Sequence, residues 1–348
     1  MNHLDQIALL DRGLPPPADA GIFGASIPED YAGIVIIPVP FEVTTSYGSG
    51  ASLAPHSLIQ ASHQLDLFDP EFGEAYKVGI NLGKPDSSWS EWNAEGKKLA
   101  KSVMSSYEVG ETPDPNTLDR VNRISSKLNT AVEDVAHSIL DGGKIPGVLG
   151  GDHSAPFGLL KALNQRFDDF GILHIDAHHD LRKAYEGFEH SHASIMYNVL
   201  ANCNHMSLLL SIGIRDFSRE EYQLAKESER VHTIYDRQIT LERWNASLLS
   251  ALEQAVKKLP KYVYVSFDID GLDPALCPST GTPVPGGMSF SEAMMLLELL
   301  DKNGKQVIGF DLCEIVPGND DWDANVGARV LYKLCGVVAK SNALKYLS

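Results

Sequence analysis

The chain has 348 residues, of which 43% are hydrophobic and 22% are charged, and these proportions exclude a wholly disordered protein. Its formal net charge of −17 argues against nucleic acid and anionic membranes as partners. The N-terminus lacks secretory-signal features, no apolar run is long enough to span a membrane, and the four cysteines are widely spaced, so we expect a cytoplasmic protein with reduced, buried thiols.

The first third of the chain is predicted to contain two strands and much irregular structure. Residues 1–30 are interrupted by Pro and Gly and are interpreted as an N-terminal extension without a core of its own. Ile34–Val39 is a continuous apolar run, typical of a strand buried in a parallel sheet, and 76–82 is a second candidate strand. The mixed composition of 83–116 predicts a loop-rich insertion with one short helix near 94–105.

From Asn116 onward, helices and strands alternate. Asn116 is a candidate helix N-cap, apolar residues then recur at helical spacing, and Gly142 and Gly143 end the helix. Candidate strands follow at 145–149, 171–175, 208–214, 262–267 and 307–310, and candidate helices at 156–167, 220–229, 242–258, 291–303 and from about 323. This alternation predicts a largely parallel sheet covered by helices on both faces, in a single domain.

Polar clusters follow three of these strands, at the position where open α/β sheets bind ligands. They are Gly-Gly-Asp-His-Ser at 150–154, His-Ile-Asp-Ala-His-His-Asp at 174–180 and Ser-Phe-Asp-Ile-Asp-Gly-Leu-Asp at 266–273. Residues two apart in an extended chain share a face, which groups Asp176, His178 and Asp180. The same spacing places Asp268 and Asp270 together at another strand end.

With His153, this set comprises four carboxylates and two imidazoles. Four buried anions repel one another unless cations neutralise them, so the set predicts two divalent metal ions that share bridging carboxylates. Oxygen and imidazole ligands favour Mn²⁺, with Ni²⁺, Co²⁺ or Zn²⁺ as alternatives. His174 is interpreted as a core histidine and His179 as facing away, while Asp152 and Asp273 are interpreted as turn or supporting residues.

These motifs resemble the ureohydrolase family, which includes arginase and agmatinase. The resemblance is carried by the segments 150–153, 176–180, 266–274, 281–283 (Gly-Thr-Pro) and 286–287 (Gly-Gly). It implies that residues 31–348 form a catalytic domain with an arginase-like fold, a three-layer α/β/α sandwich around a mostly parallel central sheet. It further implies a binuclear manganese site, a homotrimer or homohexamer, and hydrolysis of a small cationic guanidino substrate to urea and an amine.

The resemblance also assigns roles within the metal site. One ion would be held by His153, Asp176, Asp180 and Asp268, and the other by Asp176, His178, Asp268 and Asp270. Asp176 and Asp268 would therefore bridge the two ions. Two metal ions lower the pKa of bound water, which makes hydroxide available near neutral pH. Asp180 would then carry a proton to the departing amine.

Three further residues match family positions that handle protons and substrate. His192, in the Ser-His-Ala-Ser segment 191–194, would relay protons to or from solvent. Glu314, after the last strand, would pair with the substrate guanidinium, because a carboxylate accepts two parallel N–H bonds. Thr282 would orient the same end of the substrate.

The substrate is predicted from departures from the arginase pattern. Arginases carry an asparagine at the position of Arg182 and an aspartate at that of Ser218, and both differences disfavour arginine. The segment 180–194 resembles the agmatinase branch instead, so agmatine, cleaved to putrescine and urea, is the predicted substrate. Glu186 or Glu189 is a candidate to meet its distal ammonium.

Other substrates stay open, because Arg182 could pair with a carboxylate on the substrate tail. They are guanidinobutyrate, guanidinopropionate, formiminoglutamate, guanidine, alkylguanidines and, less favoured, arginine. A single-zinc deacetylase of the same fold is a more distant alternative, and it would bind one metal ion rather than two. An inactive, metal-binding partner subunit is disfavoured because all six ligands, His192 and Glu314 are present.

Overall fold

The computed structural model describes residues 2–347 and places eight strands of this range in one sheet. The strands are β1 (Ile34–Val39), β2 (Ile80–Leu82), β3 (Ile145–Gly150), β4 (Phe170–Ile175), β5 (Met206–Ile214), β6 (Val231–Tyr235), β7 (Tyr262–Asp268) and β8 (Gln306–Cys313). Their spatial order is β2-β1-β3-β8-β7-β4-β5-β6, and every neighbouring pair is parallel. The predicted parallel sheet is confirmed.

Helices lie in two groups on either side of this sheet. They are α1 (His3–Leu10), α2 (Ala54–Ser62), α3 (Ser87–Glu108), α4 (Pro115–Asp141), α5 (Phe157–Arg166), α6 (Ile195–Asn202), α7 (Arg219–Glu227), α8 (Asp236–Trp244), α9 (Leu248–Lys258), α10 (Phe290–Lys302) and α11 (Trp322–Ser341). Helices α3 to α6 pack in one series, and α2 with α8 to α11 in another. Strand β1 contacts both α4 and α11, and β3 contacts both α4 and α2, so the chain forms the expected three-layer α/β/α sandwich.

The central strands are buried because both of their faces are covered by helices. All six residues of β1 and of β4 are buried, and both strands are composed mainly of aliphatic side chains. In β3, Gly147 leaves room for the ring of Phe310 on β8, since a Cβ at Gly147 would lie 2.3 Å from that ring. This close packing fixes β3 against β8 at the centre of the sheet.

The strand order brings four carboxyl ends together at one edge of the sheet. Strands β3, β8, β7 and β4 are consecutive neighbours. Asp268 is in register with Cys313, and Ile175 is in register with Phe267. Because parallel strands end at the same edge, the loops that follow these four strands meet there. The three polar clusters of the sequence begin at the ends of β3, β4 and β7 and continue into those loops.

The region 83–116 is more helical than its composition predicts. Helix α3 covers 22 residues, and the side chain of Asp86 caps it by accepting the Ser88 N–H. Its buried face includes Trp89 and Gly96, and Gly96 packs against Val43, where a Cβ would lie 2.6 Å from the valine. The loop-rich interpretation is wrong because Gly96 and Ala100, two small residues of this segment, lie on the buried face of a long helix rather than in turns.

Other local differences have separate causes, and two of them arise at tight turns. In place of a strand over 76–82, the chain forms a helical turn at Ala75–Val78 and only then the short strand β2, after Gly79 with φ 75°. The predicted helix 242–258 is two helices, interrupted near Ala246, whose φ is 53°. Helices α1, α2 and α6 and strand β6 lack a clear enough period to be identified from sequence.

Residues 2–30 join the main core rather than forming their own. Ile22 and Phe23 are buried, and Phe23 meets Tyr332 edge-on at a centroid distance of 5.0 Å. The Phe23 N–H also donates to Ser62 Oγ at 2.8 Å. These contacts connect the N-terminal segment to α2 and α11.

The cysteine prediction is confirmed, since all four thiols are buried and unpaired. Burial raises the pKa of Cys203 to about 12, so this thiol is protonated at neutral pH. Among residues 2–347, none of the helices combines the length and the apolar character that a membrane span requires.

Candidate metal centre and active site

The three polar clusters converge at the carboxyl edge of the central strands. His153 lies in the turn after β3, Asp176 directly follows β4, and Asp268 is the last residue of β7. Their exposed fractions are 1%, 0% and 3%, respectively. The sheet therefore places residues from three distant segments in one buried group.

The first group of ligand atoms surrounds His153. Its Nδ1 lies 3.1 Å from Oδ2 of Asp176 and 2.9 Å from Oδ2 of Asp180. The distance from Nδ1 to Oδ2 of Asp268 is 3.4 Å. The other ring nitrogen contacts Ser266 Oγ at 2.9 Å, which orients the imidazole.

His153 Nδ1 provides a test of whether these residues fit a metal ion. This atom is buried and has no hydrogen-bond partner, although three carboxylate oxygens face it. A nitrogen aimed at converging oxygens without a hydrogen bond has the arrangement expected of a metal ligand. The residues present therefore fit a divalent cation.

A second group of ligand atoms lies on the other side of Asp176. His178 Nδ1 is 3.5 Å from Oδ1 of Asp176 and 3.2 Å from Oδ2 of Asp270. Asp176 thus presents Oδ2 to the first group and Oδ1 to the second, which is the position of a bridging ligand. Asp268 contacts the first group through Oδ2, while its Oδ1 accepts the Asp270 N–H at 2.9 Å. A bridging role for Asp268 stays a prediction.

His174 belongs to the first group more closely than the sequence suggested. It is fully buried, as a core histidine should be, but its Nε2 lies 2.9 Å from Oδ2 of Asp176. Its Nδ1 contacts Ser211 Oγ at 3.1 Å, and these two contacts fit a residue that orients Asp176. The sequence did contain a sign of this contact, because His174 and Asp176 are two residues apart and therefore lie on the same face of an extended chain. His179, by contrast, packs against Phe217, with ring centroids 5.3 Å apart.

Burial and mutual repulsion dominate the electrostatics of Asp268 and Asp180. Although Asp176 is buried as well, contacts with the imidazoles of His153, His174 and His178 hold its pKa well below the usual range. Burial raises the pKa of Asp268 well above its usual range, and the charges of Asp270 and Asp176 raise it further. Burial and the charge of Asp176 also raise the pKa of Asp180 to about 6. Carboxylates that oppose one another's ionisation in this way are stabilised as anions by divalent cations.

Two candidate catalytic residues have left-handed backbone conformations. Asp180 has φ 52° and Glu314 has φ 62°, values that cost a non-glycine residue about 1–3 kcal/mol. Glu314 directly follows β8, and its Oε1 accepts the His153 N–H at 2.9 Å. Burial raises the pKa of Glu314 well above its usual range, with a further contribution from the charge of Asp152. A cationic ligand would favour its ionised form.

His192 is positioned by a loop that follows β1. Its Nδ1 lies 3.3 Å from Thr44 Oγ1, and its backbone N–H donates to the same oxygen at 3.2 Å. Burial, together with the charge of His178, lowers the pKa of His192 to about 4. The imidazole is therefore neutral at pH 7.

A cavity of about 180 Å³ opens onto these groups. Five of the sequence-predicted catalytic and substrate residues line it, namely Asp180, Arg182, His192, Thr282 and Glu314. Of the other predicted ligands, His153, His178 and Asp268 also contribute to the lining. Thr282 additionally donates to Oδ2 of Asp270 at 3.3 Å, so it contacts the second ligand group as well.

The cavity also contains residues that sequence reasoning missed. Tyr185, Asp216 and Glu221 line its wall, whereas Glu186 and Glu189 do not appear in the lining. Asp216 lies two residues beyond the end of β5, and this position after a strand end was the available signal. Glu221 is in the first turn of α7, where its sequence position predicts only a capping-box residue.

Gly151, between β3 and His153, is predicted to be important for the stability of the fold. A Cβ at this position would lie 1.8 Å from the carbonyl oxygen of Phe41, a backbone atom that cannot turn aside. Gly151→Ala should therefore reduce the free energy of unfolding by about 3 kcal/mol or more, measured by urea denaturation. Gly83→Ala is the control, because its Cβ would approach no atom closer than 3.4 Å. An equal loss in both variants would contradict the prediction.

Comparison with known proteins finds a matching family model and relatives of similar length. A model of the arginase family matches residues 32–336. An N(1)-aminopropylagmatine ureohydrolase of Thermus thermophilus is 30% identical over 322 residues, covering 91% of this chain and 94% of the relative. An agmatinase of Bacillus anthracis is 29% identical, with 83% and 86% covered. The agmatine ureohydrolase of Thermoplasma volcanium superposes with a TM-score of 0.71 at 26% identity, over 95% of this chain and 96% of that structure.

Proposed function

The chain belongs to the arginase family and is a ureohydrolase, a hydrolase of amidino C–N bonds, and from this premise we propose that agmatine is its substrate. The products would be putrescine and urea. Two groups of candidate metal ligands share Asp176, and the cavity above them is also lined by Glu314. This arrangement is the main support for the proposal. The relatives named agmatinase support the choice of substrate.

The proposed cofactor is a pair of Mn²⁺ ions, with Ni²⁺ or Co²⁺ as alternatives. One ion would be held by His153, Asp176, Asp180 and Asp268, and the other by Asp176, His178, Asp268 and Asp270. When bound, such ions supply Lewis acidity and lower the pKa of water. The converging oxygens around His153 Nδ1 support this assignment.

The guanidinium group is proposed to bind to Glu314. This carboxylate lines the cavity but is otherwise buried, and one of its oxygens is fixed by the His153 N–H. A planar cation that donates two N–H bonds would satisfy the remaining acceptor capacity in a site shielded from water. Thr282, on the same wall, would contact the reacting end of the substrate.

Protons are proposed to move through Asp180 and His192. Both line the cavity, so both are accessible from the position of the guanidinium carbon and its leaving amine. Asp180 would give a proton to the departing amine nitrogen. His192 is neutral and would exchange protons between the cavity and solvent.

N(1)-aminopropylagmatine is a second candidate substrate. Relatives described as N(1)-aminopropylagmatine ureohydrolases match 91% of this chain at 30% identity, whereas the agmatinase of Bacillus anthracis matches 83% at 29%. This compound carries the same guanidinium group on a longer chain with an additional cationic nitrogen. It would therefore use the same reactive groups as agmatine, and only the contacts between its tail and the cavity would differ.

The experiment that tests the proposal is a urea-release assay. Protein loaded separately with Mn²⁺ and Ni²⁺ would be given agmatine, N(1)-aminopropylagmatine, arginine, guanidinobutyrate, guanidinopropionate and guanidine, with formamide release from formiminoglutamate run alongside. We expect one of the first two compounds to have the highest kcat/KM. Faster turnover of a carboxylated compound or of guanidine would overturn the proposed substrate.

A substitution at Thr44 should test the role of His192. Thr44→Val keeps the side-chain shape but removes the oxygen that contacts both His192 Nδ1 and its N–H. We expect kcat for urea release to fall about 10-fold, because misplacing a proton-transfer group costs part of its 10²–10⁴-fold contribution. Thr45→Val is the matched control, since Thr45 Oγ1 donates only to the Glu42 carbonyl, at 3.4 Å. Equal kcat values for the two variants would exclude this role of Thr44.

A further inference from the structure

We define the outer wall of the cavity as four of its lining residues, namely Arg182, Tyr185, Asp216 and Glu221. This wall contains an ion pair that the sequence gives no reason to expect. Arg182 Nε lies 3.4 Å from Oε2 of Glu221, and the two residues are 39 positions apart in the chain. Both side chains line the cavity. Carboxylated substrates stay possible because Arg182 could pair with their carboxylate. The residue that already pairs with Arg182 therefore affects which substrates can bind.

Glu221 is held in place by several contacts. Its side chain is 4% exposed, and Oε1 accepts the Leu181 N–H at 3.2 Å. Oε2 accepts the Ser218 N–H at 2.8 Å, while the Ser218 hydroxyl caps α7 by accepting the Glu221 N–H. A carboxylate fixed by two backbone donors does not need to move in order to pair with Arg182.

Arg182 is also restrained from its other side. Its guanidinium carbon lies 4.6 Å from the ring centroid of Tyr185, a second residue of the cavity wall. Its backbone N–H donates to the Ala193 carbonyl at 3.0 Å, next to His192. The guanidinium therefore lies between an aromatic face and a buried carboxylate that offsets its positive charge, and the Arg182 side chain is 41% exposed.

The charge of the outer wall follows from this pairing. Arg182 and Glu221 cancel, and the remaining charged residue of this wall is Asp216, for which the described part of the chain contains no ion-pair partner. The wall therefore has one net negative charge. Such a wall attracts an ammonium group and repels a carboxylate.

We propose that Glu221 determines the class of substrate tail by neutralising Arg182, so that the cavity accepts guanidino compounds with a cationic tail and rejects those with a carboxylate tail. This inference rests on the proposed function. A substrate carboxylate that paired with Arg182 would break the ion pair with Glu221 and leave that buried carboxylate without a cation. The free energy lost from this ion pair disfavours binding of such a substrate.

The test compares agmatine with 4-guanidinobutyrate, which have the same guanidinium group and opposite tail charges. Glu221→Gln removes the charge of Glu221 and keeps a residue that capping boxes accept. We expect it to raise the ratio of kcat/KM for guanidinobutyrate over agmatine by about 10-fold or more, because a freed Arg182 can pair with the carboxylate. Glu220→Gln, which changes an exposed neighbour outside the cavity lining, should leave the ratio unchanged.

Two more variants test the role of Glu221 if Glu221→Gln does not fold. Arg182→Gln leaves the carboxylate of Glu221 unneutralised, so the ratio should move in the opposite direction, further toward agmatine. The double variant Arg182→Gln/Glu221→Gln should lose the gain in guanidinobutyrate turnover. A shift toward guanidinobutyrate in Arg182→Gln would overturn the inference.

The outcomes separate this inference from the proposed function. Urea release from agmatine with an unchanged ratio in Glu221→Gln would overturn the role of Glu221 alone. If neither compound releases urea, agmatine fails as the proposed substrate, and calorimetric dissociation constants of both compounds with the Mn²⁺-loaded proteins then decide the inference by the same ratio. If neither compound binds, both are overturned.

Discussion

Replacing Asp180 by asparagine is expected to lower kcat for urea release by about 10³-fold, within the range that loss of a proton-transfer group produces. Asp180 Oδ2 is 2.9 Å from His153 Nδ1, and the side chain also lines the cavity. An asparagine at this position keeps the shape but loses the charge that would hold a cation and the oxygen that would carry a proton. A single substitution therefore removes two contributions.

The control for Asp180→Asn is the same change at Asp273. Asp273 is exposed, lies outside the cavity lining, and accepts the Ala275 N–H through Oδ1 at 2.8 Å. Asp273→Asn should retain wild-type kcat and bound metal. If Asp180→Asn kept more than about a tenth of wild-type kcat, Asp180 would have no catalytic role of the size expected.

Removing metal is expected to lower the melting temperature by about 5 °C or more. An ion at 100 times its Kd stabilises the folded state by about 2.7 kcal/mol, and in large domains each kcal/mol corresponds to about 2–4 °C. The carboxylates of Asp176, Asp180 and Asp268 all lie within 3.4 Å of one nitrogen atom, so their charges repel strongly without a cation. The measurement is calorimetry with a chelator, followed by return of Mn²⁺.

The variant Asp268→Asn separates this repulsion from a general loss of structure. It removes one buried anion from beside Asp270 and Asp176, so the chelated variant should melt at a higher temperature than the chelated wild type. The increase on adding Mn²⁺ should be smaller in the variant. A chelated variant less stable than the chelated wild type, or no effect of Mn²⁺ on either protein, would contradict this account.

The residues of the site could be predicted from sequence because their chemistry is local. Asp176, His178 and Asp180 alternate at a strand end, and so do Asp268 and Asp270, which a period of two reveals without coordinates. The parallel sheet was likewise predictable from apolar runs that alternate with helices. These features depend on neighbouring residues alone.

Features that depend on distant contacts could not be predicted in this way. The contact of His174 with Asp176 requires the strand to be in place, and the pairing of Arg182 with Glu221 joins the loop after β4 to the start of α7. The face of α3 around Gly96 is recognisable as buried only when Val43 is placed against it. In each case the missing information was which segments lie side by side.

The number of metal ions bound per chain tests the binuclear site directly. Mn²⁺-loaded protein, freed of excess metal by gel filtration, would be analysed by inductively coupled plasma mass spectrometry alongside its urea release from agmatine. Two ligand groups sharing Asp176 predict about two Mn²⁺ ions per chain, with activity rising as the second ion is added. Full activity with one ion per chain, zinc included, would contradict the binuclear site and favour the single-metal alternative.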